Sequence, residues 1–140
     1  MDYKTYQKNY FTNPPPQPRY NFRGSFGMTL FYQDYQAAVA YYERVLGPPA
    51  YVEGAGTRGW QIGDGWLTLL QGQSGNPTNL EVTFVIATPA EAEALQQACI
   101  DAGGQGPPPS DELMYAPIRY CAVVDPFGVG LLIISPLGDG

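Results

Sequence analysis

The chain has 140 residues, a length suited to one domain with one hydrophobic core. It is 44% hydrophobic and 14% charged, which is typical of a folded protein, and its net charge of −6 argues against nucleic acid or an anionic membrane as a partner. There is no histidine, which excludes Ser-His-Asp and Cys-His catalysis and any metal site that needs imidazole.

Neither a membrane segment nor a secretory signal is predicted. No apolar run approaches the roughly 20 residues that a membrane helix needs, and the N-terminus lacks the hydrophobic segment of a signal peptide. We therefore expect a cytoplasmic protein. Cys99 and Cys121 are predicted to be buried, reduced thiols, because two cysteines do not make a disulfide framework.

Residues 1–23 differ in composition from the rest and form an N-terminal arm. Six aromatic residues alternate there with a proline run at 14–16 and with Pro18. This pattern predicts an extended arm that is polyproline-like in its middle. The aromatic density favours an arm that packs on its own domain or on a partner subunit, and the alternative is a floppy tail.

The first half reads as a strand, a helix and three short strands. Asp34 is a predicted N-cap, and Gly47 followed by two prolines ends the helix. Apolar residues spaced i, i+3, i+4 and i+7 give the helix one buried stripe. The predicted strands are 25–32, 50–54, 57–63 and 65–71, the helix is 35–47, the buried stripe is Ala38, Tyr41, Tyr42 and Val45, and a polar linker spans 72–79.

The second half begins the same order again. Thr88, Pro89 and Glu91 form a capping box with proline at the first helical position. The sequence "DPFG" has Asp, Pro and Gly where a type I turn requires them. The predicted strands are 80–87, 118–125 and 129–135, the helix is 89–104, and a proline-rich loop spans 106–115.

The two halves form an internal repeat. The helix caps Asp34 and Thr88 are 54 positions apart, and the final strands at Gly65 and Val129 are 64 apart. The difference of ten is the longer loop at 106–115. The pattern therefore predicts an α+β fold of two tandem βαβββ modules, 24–72 and 79–137, within one domain that spans 24–137.

A duplicated βαβββ unit of this length resembles the glyoxalase, bleomycin-resistance and extradiol dioxygenase family, the vicinal oxygen chelate fold. The first helix resembles the family pattern at Asp34, Ala38, Tyr42 and Leu46-Gly47, the fourth strand at 65–70, and the closing hairpin at "VVDPFGVGLLI". The resemblance covers about residues 25–137. It implies a U-shaped cleft between two modules, formed within one chain or across a dimer, and it leaves the activity open because this fold hosts many functions.

The family places a divalent metal in this cleft, with one ligand from the first and one from the last strand of each module. The corresponding positions are Gly27, Thr68, Glu81 and Leu132. Only Glu81 binds metal well, and a metal site needs three or four ligands. We therefore expect the fold without the metal, and no cofactor.

Glu81 has three interpretations. It is an exposed carboxylate at a strand start, a cleft carboxylate that binds a cationic or hydrogen-bonding ligand, or a buried general base. An ion pair with Arg119, on a later strand of the same module, is a further option.

Aromatic side chains are the other candidates for the cleft. Phe31 and Trp66 share strand parity with the metal-ligand positions, Trp60 lies on a neighbouring strand, and Tyr115 lies in a loop predicted to close over a ligand. The alternative for each is an ordinary core position. The predicted ligand-binding residues are Phe31, Trp60, Trp66, Thr68, Glu81, Tyr115 and Arg119.

Three functions are compatible with this sequence. We favour a metal-independent protein that binds a small apolar, aromatic or cationic ligand. The second is a metal-independent enzyme in which Glu81 is the acid or base, assisted by Tyr115 or Arg119. The third is a structural or interaction protein whose cleft is filled by its own side chains or by the arm. We expect a homodimer, with the arm reaching the other subunit.

Overall fold

Two sheets and two long helices follow the internal repeat, and a short helix precedes them. The computed structural model describes residues 1–138. The helices are α1 (Tyr3–Tyr10), α2 (Tyr35–Leu46) and α3 (Pro89–Asp101). The strands are β1 (Met28–Tyr32), β2 (Tyr51–Val52), β3 (Thr57–Ile62), β4 (Gly65–Gln71), β5 (Glu81–Val85), β6 (Ser110–Leu113), β7 (Pro117–Val124) and β8 (Gly130–Pro136).

Both sheets have the same topology. The strand orders are β1-β4-β3-β2 and β5-β8-β7-β6, and in each sheet the first and last strands of the module pair in parallel. The registers are also equivalent, because Thr29 pairs with Thr68 and Thr83 pairs with Leu132. The predicted pair of βαβββ modules is therefore confirmed.

The helix α2 forms where the apolar spacing and the glycine stop predict it. Ala38, Tyr41 and Tyr42 are buried, whereas Val45 is half-buried at the helix end. Gly47 ends the helix with a φ of +91°, a conformation that favours glycine. Asp34 is the N-cap residue, but its carboxylate accepts from the Asn76 amide (2.8 Å) instead of a backbone N–H, so it holds the linker against the helix start.

The helix α3 follows its predicted cap. The Thr88 hydroxyl accepts from the Glu91 backbone N–H at 3.2 Å, and Pro89 occupies the first turn. Cys99 on this helix and Cys121 on β7 are both buried and free, as predicted. The buried amide of Gln96 donates to the Ala122 carbonyl (2.7 Å), which ties the helix to the second sheet.

The helices cover one face of the sheets because strand side chains alternate between the two faces. On the helix side, Leu67 and Leu69 of β4 and Leu131 and Ile133 of β8 are buried in one shared core. The opposite, concave face carries the remaining positions of each strand. On the first sheet this face is exposed at Phe31 and Trp66, whereas on the second sheet it carries a buried apolar cluster of Ile118, Leu132 and Ile134.

The two modules are tied together by the buried carboxylate of Asp125, the first residue of the "DPFG" turn. Its Oδ2 accepts from the hydroxyls of Tyr32 (2.9 Å) and Tyr42 (2.8 Å), both from the first module. Its Oδ1 accepts from the backbone N–H groups of Phe127 (2.8 Å) and Val129 (2.9 Å) in its own turn. Four donors therefore stabilise a charge that has little contact with water.

Tyrosines surround this carboxylate. The Tyr41 hydroxyl donates to the Cys99 carbonyl (3.2 Å), a second bond between the modules. Burial raises the pKa of the Tyr32, Tyr41 and Tyr42 hydroxyls well above their usual value. They therefore remain protonated hydrogen-bond donors over the physiological pH range.

Two segments differ from the sequence-based expectation. The arm was expected to be extended, but its first part is α1, which Asp2 caps by accepting from the Thr5 N–H (2.8 Å). Helix formation is possible because the prolines begin only after this segment. The loop 106–115 contains the edge strand β6, whose four residues pair with β7; the preceding proline run obscured it.

We expect Asp125→Ala to lower the free energy of unfolding by about 3 to 5 kcal/mol, because it leaves four buried donors without an acceptor. Asp125→Asn retains one carbonyl oxygen and should lose less. Urea denaturation measures both, with Glu43→Ala, an exposed carboxylate on α2, as the control that should change stability by no more than about 0.5 kcal/mol. Equal stability of Asp125→Ala and the control would contradict this role.

Stability should fall as the pH rises above about 10. The unfolded chain loses tyrosine protons there while the folded protein keeps them, so each buried hydroxyl adds a slope of about 1.4 kcal/mol per pH unit. Tyr41→Phe removes one such group and should reduce the slope by that amount. Urea titrations at a series of alkaline pH values test this, and identical slopes in both proteins would count against it.

Candidate ligand-binding cleft

A cavity of about 450 Å³ lies on the concave side, where the first strands of the two modules meet. Its lining comes from β1 and the residues before it, from the β3–β4 hairpin, and from β5. We call it the cleft, and its lining is Gly24, Phe26–Met28, Ile62–Leu67 and Glu81–Val85. Both modules therefore contribute to one site.

Strand alternation determines which side chains belong to the exposed face. On β5, Val82 and Phe84 point to the core, so Glu81 and Val85 lie on the concave face. On β4, Leu67 is buried and Trp66 is 39% exposed. Trp66 and Val85 both contribute to the lining of the cleft. The Trp66 ring packs over Gly59 of β3 and against Tyr51 of β2, with the two ring centroids 6.3 Å apart.

Gly65 allows the rim of the cleft to form. A Cβ atom at this position would lie 1.9 Å from the Phe26 carbonyl oxygen, so only glycine permits the two backbones to approach this closely. The approach carries Phe26 across the start of β4. Its ring is 84% exposed, which leaves a second aromatic side chain at the rim.

The cleft is acidic. Asp64 and Glu81 are both exposed, and no lysine or arginine lines the cleft. The ion pairs found within residues 1–138 include neither carboxylate. Glu81 extends over Gly130 of β8, where a Cβ atom would lie 3.3 Å from its Cγ. Two carboxylates in a lining that contains no basic residue favour a cationic ligand.

Of the predicted ligand-binding residues, the structure brings Trp66 and Glu81 together in the cleft. Phe31 lies on the concave face of β1 but lines a separate hollow of about 430 Å³ beside the linker. Thr68 is half-buried further along β4. These two residues share the face with the cleft without lining it.

Trp60 does not lie in the cleft. It pairs with Leu67 of β4 and therefore faces the helices, where it is 3% exposed. Its Nε1 donates to the Gly47 carbonyl at 2.8 Å, and its ring lies 6.1 Å from that of Tyr42. Trp60 is therefore a core residue, which was the alternative to a ligand-binding role.

Arg119 and Tyr115 also lie elsewhere. Arg119 faces the helix side of β7 and forms ion pairs with Glu93 (3.1 Å) and Asp111, so the optional pair with Glu81 is not formed. Tyr115 is 78% exposed at the turn after β6. Its carbonyl accepts from the Tyr3 hydroxyl of α1, and its loop does not close over the cleft.

The donor set does not fit the metal that this fold often carries. Gly27 and Leu132 have no donor atom, and Leu132 is buried in an apolar cluster with Ile118 and Ile134. Within residues 1–138 no three cysteine or carboxylate side chains come close enough to hold a metal ion. The residues at these four positions therefore do not fit a metal centre.

Sequence reasoning missed three members of the cleft, namely Phe26, Asp64 and Val85. Phe26 lies in the predicted strand 25–32 and Asp64 lies between the predicted strands 57–63 and 65–71, and neither position indicated a site. The pair of glycines around Asp64 was the available signal, because glycine permits close approach of another segment. The approach of Phe26 to Gly65 is a tertiary contact that local patterns do not reveal.

None of the helices within residues 1–138 is long and apolar enough to cross a membrane. No protein-family model matches the chain, and no curated protein matches it in sequence.

Solved structures do match. A glyoxalase/bleomycin resistance protein from Albidiferax ferrireducens is 18% identical with a TM-score of 0.64, and the match covers 78% of this chain and 95% of that one. A glyoxalase/bleomycin resistance protein/dioxygenase family enzyme from Burkholderia phytofirmans is 18% identical with a TM-score of 0.62, covering 79% and 97%. A virulence protein from Salmonella typhimurium is 20% identical with a TM-score of 0.63, covering 84% and 99%. The chain therefore has the vicinal oxygen chelate fold that its sequence resembles.

Proposed function

We propose that the protein binds a small aromatic or cationic molecule in the cleft without a metal. The observation that carries this proposal is the open cleft, whose lining includes the exposed residues Phe26 and Trp66 and two carboxylates without an ion-pair partner. A volume of about 450 Å³ is within the range of small-molecule sites.

The physical argument for such a ligand has two parts. Covering the exposed rings removes apolar surface from water, at about 25 cal/mol for each Å². A positive charge over an indole or phenyl face stabilises the complex by a further contribution of about 0.5 to 2 kcal/mol. Asp64 and Glu81 add Coulombic attraction that salt weakens, because both groups are exposed.

An enzyme using Glu81 as acid or base is the weaker candidate. General-base catalysis at neutral pH is helped by a carboxylate that is removed from water. Glu81 is exposed, and Arg119 and Tyr115, its expected assistants, lie outside the cleft.

The third hypothesis, a structural protein whose own side chains fill the cleft, fits the second sheet but not the first. In the second sheet, Ile118, Leu132 and Ile134 pack together and close the concave face. In the first sheet, the corresponding face carries exposed Phe31 and Trp66. This asymmetry favours a ligand at the first module and its junction with β5. The cytoplasmic location remains a prediction.

We expect proflavine, a planar aromatic cation, to raise the melting temperature of the protein and to quench the fluorescence of Trp66. The aromatic anion 8-anilinonaphthalene sulfonate should bind more weakly, because the cleft is acidic. Trp66→Ala and Glu81→Gln should each weaken proflavine binding about tenfold. Isothermal titration calorimetry provides the dissociation constants.

Phe31→Ala is the matched control, since Phe31 is an exposed aromatic residue of the same face outside the cleft. Its affinity for proflavine should equal that of the wild type. Equal weakening by Phe31→Ala and Trp66→Ala would place binding elsewhere and contradict the proposal.

We also expect the purified protein to contain less than stoichiometric divalent metal, because the four ligand positions offer a single carboxylate. Elemental analysis by mass spectrometry after dialysis measures this, and a Glu81→Gln sample is the comparison. One bound metal per chain, lost in the variant, would refute metal-independent binding.

A further inference from the structure

The charges of the chain are divided between the arm and the domain. Four of the seven lysines and arginines, but only one of the thirteen aspartates and glutamates, lie in residues 1–23. The arm therefore has a net charge of +3, and the remaining residues have a net charge of −9. Opposite charges of this size within one chain attract each other within a molecule or between molecules.

Within one molecule the arm leaves its own cleft uncovered. The helix α1 contacts the turn after β6, where the Tyr3 hydroxyl donates to the Tyr115 carbonyl, and no residue of the arm lines the cleft. Residues 11–27 are all exposed. Within this segment the rings of Tyr20 and Phe22 pack edge to face, with their centroids 6.3 Å apart. Neither Arg19 nor Arg23 takes part in the ion pairs found in residues 1–138.

The exposed part of the arm and the cleft are chemically complementary. The arm presents two guanidinium groups that flank two aromatic residues, and the lining of the cleft includes two carboxylates and Trp66. Arginine binds carboxylates by paired hydrogen bonds and stacks on aromatic rings. The segment 19–23 ends just before Gly24, which lines its own cleft, and none of the five residues of the segment lines that cleft.

We propose that the segment Arg19–Arg23 of one copy of the chain binds in the cleft of a second copy, and that two such contacts close a symmetric dimer. Each cleft is then completed by two cationic side chains from the partner copy. A reciprocal exchange satisfies both copies at once, as closed two-fold symmetry requires. This contact goes beyond the proposed small-molecule binding. The arm of the second copy and a cationic ligand would compete for the same two carboxylates, so the two are measured separately.

Charge reversal tests the contact in the full-length protein. One variant carries Arg19→Glu and Arg23→Glu, and the other carries Asp64→Lys and Glu81→Lys. All four side chains are exposed, so both variants should fold, which circular dichroism checks. Sedimentation equilibrium should show a wild-type dimer, and for each variant alone a dissociation constant at least about tenfold higher.

A mixture of the two variants is the decisive measurement. In the mixed pair, the acidic arm meets the basic cleft and the basic arm meets the acidic cleft, so both contacts are restored. The equimolar mixture should therefore dimerise with near wild-type affinity. Lys4→Glu with Lys8→Glu, the same change of charge on exposed positions of α1, is the control and should dimerise like the wild type.

Three results would overturn the proposal. The first is a wild-type protein that stays monomeric at millimolar concentration. The second is a dimer that neither charge reversal weakens, and the third is a mixture that fails to regain affinity. Proflavine binding to the monomeric arm variant is measured separately, so a failure of this contact is distinguishable from a failure of the proposed function.

Discussion

The rest of the structure depends on the buried carboxylate of Asp125. It accepts two tyrosine hydroxyls from the first module and two backbone N–H groups from its own turn. A buried charge is tolerable only when its lone pairs are used in this way. Because the donors come from both modules, the same bonds that satisfy the charge hold the two sheets in one arrangement. The aromatic ring of Phe127, 5.7 Å from that of Tyr32, excludes water from the junction.

This arrangement concentrates the stabilising contacts on the helix side of the sheets. Leu69 and Ile133 illustrate the consequence, because both are fully buried there while their strand neighbours face the concave side. Concave positions of the first module are therefore under little packing constraint. Gly27 occupies a position that carries a metal ligand in this fold, and the core packs without a side chain there. The nearest atom to an added Cβ at this position would be the Trp66 carbonyl oxygen, at 3.3 Å. The fold therefore does not depend on a metal-binding side chain at position 27.

Sequence patterns predicted the modules well and the site only in part. Helix caps, glycine stops and alternating strands are local signals, so α2, α3 and β4 were recognised from their own residues. Trp60 was misplaced because β3 has no clear alternation, and its orientation follows from pairing with Leu67. Arg119 was also predicted to line the cleft, because the sequence did not reveal which face of β7 it occupies. In the structure it lies on the helix side and forms an ion pair with Glu93. Orientation in a weakly patterned strand is decided by its neighbours.

The sequence by itself determined the α+β class, the internal repeat, the positions of α2 and α3, and the lack of metal-binding side chains at three of the four ligand positions, because each depends on residue identity and spacing along the chain. Only the tertiary structure decided which side chains share the cleft. Phe26 reaches it because glycine at position 65 lets two backbones approach, and Asp64 and Glu81 both line it although they come from different modules. Contacts between residues distant in sequence arise from packing of the whole chain, which no local pattern encodes.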